Sequence, residues 1–149
     1  MRSDVRASRA DTELASLLRM TVMRLSRRLR QHAPEDITPS QLSALAVVVR
    51  DGRLTLSQLA EAERVQPPTV TRIVDSLVQR GYVSRTASPE DRRVAYVEPT
   101  AGGRALVEAV RRRRDAYLAL RLRSLSDDDR AVLARASDLL EQLTEDPEP

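Results

Sequence analysis

The chain has 149 residues, 41% hydrophobic and 32% charged, with a formal net charge of +3; that is the size of one domain, with enough apolar residues for a core. It has no cysteine and a single histidine, His32, which excludes disulfides, thiolate metal sites and a thiol redox sensor and leaves too few ligands for a histidine metal centre. No apolar run reaches the ~18–20 residues that span a membrane, and the opening MRSDVRASRAD lacks an apolar signal core, so a cytoplasmic protein without metal or cofactor is expected.

Aromatic residues make up only 2%, all tyrosine: Tyr82, Tyr96 and Tyr117. The core must therefore be built from Leu, Val, Ile, Met and Ala, a composition suited to packed helices. Four glycines are too few for a turn-rich all-β fold. Charge is uneven along the chain: residues 101–125 carry net +5 and residues 126–149 net −6. Every one of the 25 basic residues is arginine. A GC-rich genome gives the same bias; the functional alternative is that guanidinium forks suit phosphate and base edges.

The first periodic segment runs from about Ala10 to Gln31. Leu14, Leu17, Leu18, Thr21, Leu25 and Leu29 share one face at helical spacing, and Pro34 marks its end. A second helix opens at Thr38-Pro39-Ser40-Gln41, where Thr38 caps, Pro39 fits the first turn and Gln41 completes a capping box. Leu42, Leu45, Ala46, Val48 and Val49 are its expected buried face, and Asp51-Gly52 stops it. Leu54-Thr55-Leu56 reads as a short extended segment. A third helix is expected from about Ser57, as cap, to Glu63, with Leu59, Ala60 and Ala62 inward. A fourth spans about Pro67 to Arg80, with Val70, Ile73, Val74, Leu77 and Val78 as its stripe and Gly81 closing it in the left-handed region.

Two β-rich runs, Tyr82–Thr86 and Val94–Glu98, flank a polar connector and read as a hairpin. Its projecting tip holds Ser88-Pro89-Glu90-Asp91-Arg92-Arg93. Thr100 caps a helix to about Arg123, on the order of 35 Å long. Ser126, followed by three aspartates, caps the last helix, whose stripe is Val132, Leu133, Ala136, Leu139, Leu140 and Leu143. Residues 146–149 are expected to be disordered. Arg111 to Arg114 reads as a solvated surface or as a contact with DNA backbone or the acidic last helix.

Leu56 to Val97 is the informative stretch. A short helix, a tight connection and an amphipathic helix make a helix-turn-helix, whose second helix must present its polar face to a major groove about 12 Å wide. Gln66, Thr69, Thr71, Arg72, Ser76, Gln79 and Arg80 are available there. An amphipathic helix with a merely solvated face has the same pattern; the hairpin behind it favours nucleic acid. Asp91-Arg92-Arg93 at a projecting tip suits the minor groove, whose focused negative potential attracts arginine. The terminal stripes lack a large partner within so small a module. Two chains packed through them would set two such helices about 34–36 Å apart on DNA; a monomer with its ends folded back is the alternative. No Gly-rich phosphate loop, HExxH motif or nucleophile elbow supports an enzyme.

The run Pro68-Thr69-Val70-Thr71-Arg72-Ile73-Val74-Asp75-Ser76-Leu77-Val78-Gln79-Arg80-Gly81-Tyr82-Val83 resembles the recognition helix of the MarR family of transcriptional regulators. Arg85 to Arg93 resembles that family's wing, and Thr38-Pro39-Ser40-Gln41-Leu42 the start of its second helix. The resemblance implies a mainly α fold with a small β-hairpin wing: a winged helix-turn-helix module over about 38–100, flanked by dimerisation helices over about 1–37 and 101–145. It implies a homodimer on a pseudo-palindromic double-stranded DNA operator, with Thr71 and Arg72 in the major groove, Arg93 in the minor groove and Asp91 shaping the wing; Thr38, Ser40, Gln66, Thr69, Ser76, Arg80 and Arg92 are the further expected contacts. It further implies a repressor relieved by a small aromatic or acidic effector, with Met23, His32 and Tyr117 as candidate liners. Three departures stand out. Pro67-Pro68 replaces small polar residues and removes two N–H donors. Pro99 stands where leucine is usual, and the absence of cysteine excludes the peroxide-sensing branch.

Overall fold

The computed structural model describes residues 8–34, 36–91 and 93–144. Among them six helices and three strands follow in order: α1 Arg9–Arg30, α2 Pro39–Asp51, β1 Leu54–Thr55, α3 Leu56–Glu63, α4 Pro67–Gln79, β2 Val83–Ala87, β3 Ala95–Pro99, α5 Ala101–Leu122 and α6 Asp127–Gln142. The chain divides into two compact units, Met1–Arg111 and Arg112–Pro149.

Local chemistry places the boundaries in the first unit. Ser8 and Asp11 form a reciprocal capping box at the start of α1, and Thr38 and Gln41 do the same for α2. The third helix begins earlier than the Ser57 cap predicts. Thr55 is the cap, its hydroxyl accepting from the Gln58 N–H at 3.1 Å, because Gln58 stands three residues on and closes the box. Only Leu54–Thr55 is therefore extended. Gly52 and Gly81 adopt φ of 80° and 75°, conformations that a side chain disfavours, and they end α2 and follow α4. Arg64, with φ 53°, makes the same reversal between α3 and α4 as a non-glycine residue.

The short β1 joins the hairpin, giving an antiparallel sheet in the order β1-β3-β2. Leu54 pairs with Val97, and Val83 with Pro99. Pro99 is tolerated beside the central strand's end because β1 reaches only Tyr96 and Val97.

The core lies between α2, α3, α4 and β3, with Leu45, Val48, Leu59, Val70, Val74, Leu77 and Val97 fully buried. Each large side chain removed from water there stabilises the fold by ~1.5–3 kcal/mol. Helix α2 is buried on more than one side: Ala44 and Val47 are buried, whereas Ala46 is exposed and Val49 half-buried. The single-stripe expectation fails here because α3, α4 and β3 all pack on α2. Ala62 is also exposed, and Val78 is more exposed than the buried side chains of its stripe.

The first turn of α5 is tied to the α4–β2 turn. Thr100 Oγ1 donates to the Gly81 carbonyl at 2.6 Å and accepts from the Gly103 N–H at 3.1 Å. A Cβ at Gly103 would stand 2.1 Å from the Tyr82 carbonyl oxygen, so only glycine permits this approach. In the second unit Ser126 caps α6, with Asp127, Asp128 and Asp129 in its first turn, and Arg130 donates back to the Leu122 carbonyl.

Candidate nucleic-acid interface

Helix α3, the Arg64 reversal and α4 form the helix-turn-helix. Val65 N–H donates to the Ala60 carbonyl at 3.0 Å, which satisfies the end of α3 and aims the chain into α4. Val70, Val74 and Leu77 anchor α4 in the core. At 100° per residue that places Arg72 and Gln79 near the crest of the opposite side, with Asp75 and Ser76 on either flank. Arg72, Thr69 and Gln66 are exposed.

The start of α4 is unusual. Gln66 is the N-cap and makes no side-chain cap hydrogen bond. Pro67 and Pro68 have no N–H, and Thr69 and Val70 N–H both donate to the Gln66 carbonyl, at 2.9 and 3.2 Å. A helix start normally offers free donors to an anion; this one offers side chains instead. Thr71 is half-buried and its hydroxyl donates to the Pro67 carbonyl at 3.0 Å, leaving it as an acceptor toward any ligand.

Several of the expected contact residues already have internal partners. Thr38 Oγ1 accepts from the Gln41 N–H at 3.2 Å, whereas Ser40 is exposed at the start of α2. Ser76 Oγ accepts from Gln41 Nε2 at 2.9 Å, a part-buried link between α2 and α4. Arg80 lies 3.4 Å from Asp36 Oδ2. Gln41, Asp36, Asp75 and Arg85 are not among the residues the sequence points to. The Asp75–Arg85 ion pair, at 3.0 Å, ties α4 to β2. Opposite charges ten positions apart are visible in the sequence, but a helix-to-strand meeting is not.

Beyond β2 the hairpin loop has its own hydrogen bonds. Ser88 is buried, against the expectation of a fully projecting tip, and its hydroxyl accepts from the Glu90 and Asp91 N–H groups at 3.3 and 3.4 Å. Ser88 N–H donates to the Val94 carbonyl and Val94 N–H to that of Asp91. Asp91 Oδ1 accepts from the Arg93 N–H at 2.9 Å and from its Nε at 3.2 Å. The Arg93 N–H, followed by its guanidinium, holds the Asp91 carboxyl below the ordinary aspartate value. The Arg93 side chain is nevertheless 92% exposed. Arg92 lies outside the described residues, as do residues 146–149.

The three candidate effector liners are spread along the helices. Met23 is exposed on α1, with Arg19 Nη1 3.9 Å from its sulfur. His32 is half-buried just past that helix. Tyr117, half-buried in the second unit, carries the Arg121 guanidinium 4.3 Å over its ring. Among the described residues no group of three or more His, Asp or Glu could hold a metal ion, and no helix is long and apolar enough to cross a membrane.

The sequence model of the MarR family matches residues 37–95, which is the stretch from the approach to α2 through the wing. A helix-turn-helix transcriptional regulator from Mycobacterium tuberculosis is 42% identical over 138 residues, 92% of this chain and 96% of its own. The chain belongs to the MarR family. It is a DNA-binding transcriptional regulator of the winged helix-turn-helix class and not an enzyme. The MarR fold extends over nearly the whole molecule. A transcriptional regulator structure from Pseudomonas aeruginosa superposes with a TM-score of 0.85 at 32% identity, covering 95% of this chain and 100% of that one. A MarR family protein from Bacillus stearothermophilus gives 0.77 at 30% identity with the same coverages.

Proposed function

We propose that this MarR-family chain acts as a homodimeric repressor that reads a pseudo-palindromic operator and is released from it by a small aromatic or acidic effector. In this reading α4 enters the major groove, with Arg72 forking onto guanine or phosphate and Gln66, Thr69 and Thr71 meeting base edges or phosphates. Ser76 and Arg80 flank that face, Thr38 and Ser40 reach backbone phosphate from the start of α2, and Arg92 and Arg93 enter the adjoining minor groove. Asp91 keeps the wing in shape. The observation that carries the reading is the exposed Arg93 guanidinium, aimed by Asp91 from a loop that continues the strand packed against α4.

The domain division follows: about 38–100 as the DNA module, with about 1–37 and 101–145 as the dimer-forming helices. Exposed Leu14, Leu17, Met20 and Met23 on α1, and Val132, Leu133, Leu139 and Leu143 on and after α6, supply apolar surface for a second copy. Support for the DNA partner comes from a relative. A mutant of Staphylococcus aureus MepR, solved bound to an oligodeoxyribonucleotide, is 25% identical with a TM-score of 0.67. Repression is supported by the Bacillus subtilis transcriptional repressor MdtR, 33% identical over 114 residues. Effector control is supported by Bordetella bronchiseptica BpsR, whose DNA binding is regulated by 6-hydroxynicotinic acid.

Selection of bound duplexes from a random library tests the reading. Inverted repeats should emerge, and light scattering should give the mass of two chains. Arg72→Ala should weaken the selected duplex about 10- to 100-fold and relax preference at one position. Arg93→Ala should weaken it less. Unchanged affinity in both variants overturns the reading. A panel of small aromatic acids, with Met23, His32 and Tyr117 variants, tests release.

A further inference from the structure

The exposed side of α4 carries an acid where a DNA-facing surface has most to lose from one. Asp75 follows Arg72 by three residues, so the two are neighbours on the helix. Its Oδ1 accepts from Arg85 Nη1 at 3.0 Å. The side chains of Asp75 and Arg85 are 58% and 37% exposed, respectively. Together they wall an open depression of about 550 Å³ completed by Arg72, Ser76, Val78 and Gln79. A guanidinium takes a carboxylate or a phosphate with the same donor fork.

We propose that Asp75 is an internal counter-ion for Arg85, occupying that guanidinium until a DNA phosphate takes the carboxylate's place. The inference rests on α4 being the DNA-facing helix. An exposed ion pair is weak and is screened by salt, so a phosphate brought into the depression displaces it. The exchange gains less than capture by a free arginine. One favourable contact is given up, and the released carboxylate stays beside a polyanion. Asp75 therefore damps sequence-independent attraction to DNA while leaving base contacts from Arg72 untouched.

The test uses the full chain and a mixed-sequence duplex, with affinity followed by fluorescence anisotropy across a range of monovalent salt. Asp75→Asn should bind this duplex roughly two- to fivefold more tightly at ~0.1 M salt. Its plot of log K against log salt should steepen by about one phosphate contact. In an Arg85→Ala background the same substitution should leave the slope unchanged. Steepening that persists without Arg85 overturns the proposal, since Asp75 then acts only by repelling DNA. Weaker binding by Asp75→Asn also overturns it. Thermal melting of each variant confirms that the fold is kept. Arg72→Ala separates the two readings. If it binds as the unaltered chain does, the assignment of α4 fails and this proposal with it. If it weakens binding while Asp75→Asn brings no gain, only the counter-ion is refuted.

Discussion

Helix α2 and helix α1 are both rich in leucine and valine or methionine, yet they solve opposite problems. In α2 five residues are buried and three other elements surround it. In α1 no residue is buried, and Leu17 is 64% exposed. Helix α6 resembles α1, again with no buried residue and Val132 66% exposed. Helix α2 buries its apolar surface within one chain; α1 and α6 leave apolar side chains exposed. That difference separates substitutions that act on folding from those that act on the proposed dimer.

The largest contrast is expected between Leu45 and Leu17. Leu45→Ala removes a fully buried side chain and should cost about 2–5 kcal/mol in denaturant unfolding. If the proposed dimer packs through α1, Leu17→Ala should shift monomer stability by less than ~0.5 kcal/mol while raising the protein concentration at which the dimer dissociates. Equal, concentration-independent losses for the two would break the comparison. Gly103→Ala comes next. The added methyl group meets the Tyr82 carbonyl oxygen and Leu45 Cδ1, and overpacking of this kind costs about 1–3 kcal/mol, occasionally more. A melting temperature like that of the unaltered chain would mean that the α5 start moves away freely.

Smaller effects sharpen the map of helix starts and of the wing. Thr55→Ala removes the hydroxyl that accepts from Gln58 N–H and should cost about 1 kcal/mol. Ser57→Ala should be near neutral; the reverse order would restore Ser57 as the cap. The smallest effect concerns pH. The Asp91 carboxyl is held below its ordinary value in the folded wing, so its contribution is present above the unfolded value near ~4. That contribution fades as the pH falls through the lower folded value. Because Asp91 accepts from the Arg93 N–H, the Arg93 amide resonance should move in an NMR titration below pH ~4. An Arg93 amide that stays still while the carboxyl titrates would remove Asp91 as its acceptor.

Much of this was legible in the chain because the deciding signals are local. Thr38-Pro39-Ser40-Gln41 sets the start of α2, and Gly52 and Gly81 mark reversals by their positive φ. The same rule, applied to Thr55 and Gln58, would have found the start of α3; Ser57 has no Glu or Gln three residues on. What escaped depends on distant partners. Two residues of β1 pair with β3 more than forty positions away, and no period can be read from so short a strand. Ala44 and Val47 are buried because α2 is covered on several sides, which a one-face pattern cannot express. Within the candidate interface, Gln41–Ser76, Asp36–Arg80 and Asp75–Arg85 join residues 35, 44 and 10 positions apart. Residue type identified Arg80, while Arg85 and the carboxylates of Asp36 and Asp75 emerged only from the fold.

The proline pair that opens α4 has a thermodynamic corollary. With φ fixed at Pro67 and Pro68 and the next two amides bonded to Gln66, the leading turn is rigid before any duplex arrives. Little ordering entropy is then lost at that turn on association. Circular dichroism should register no gain of helicity there when DNA is added, and calorimetry should find a heat-capacity change set by surface dehydration instead of a folding step.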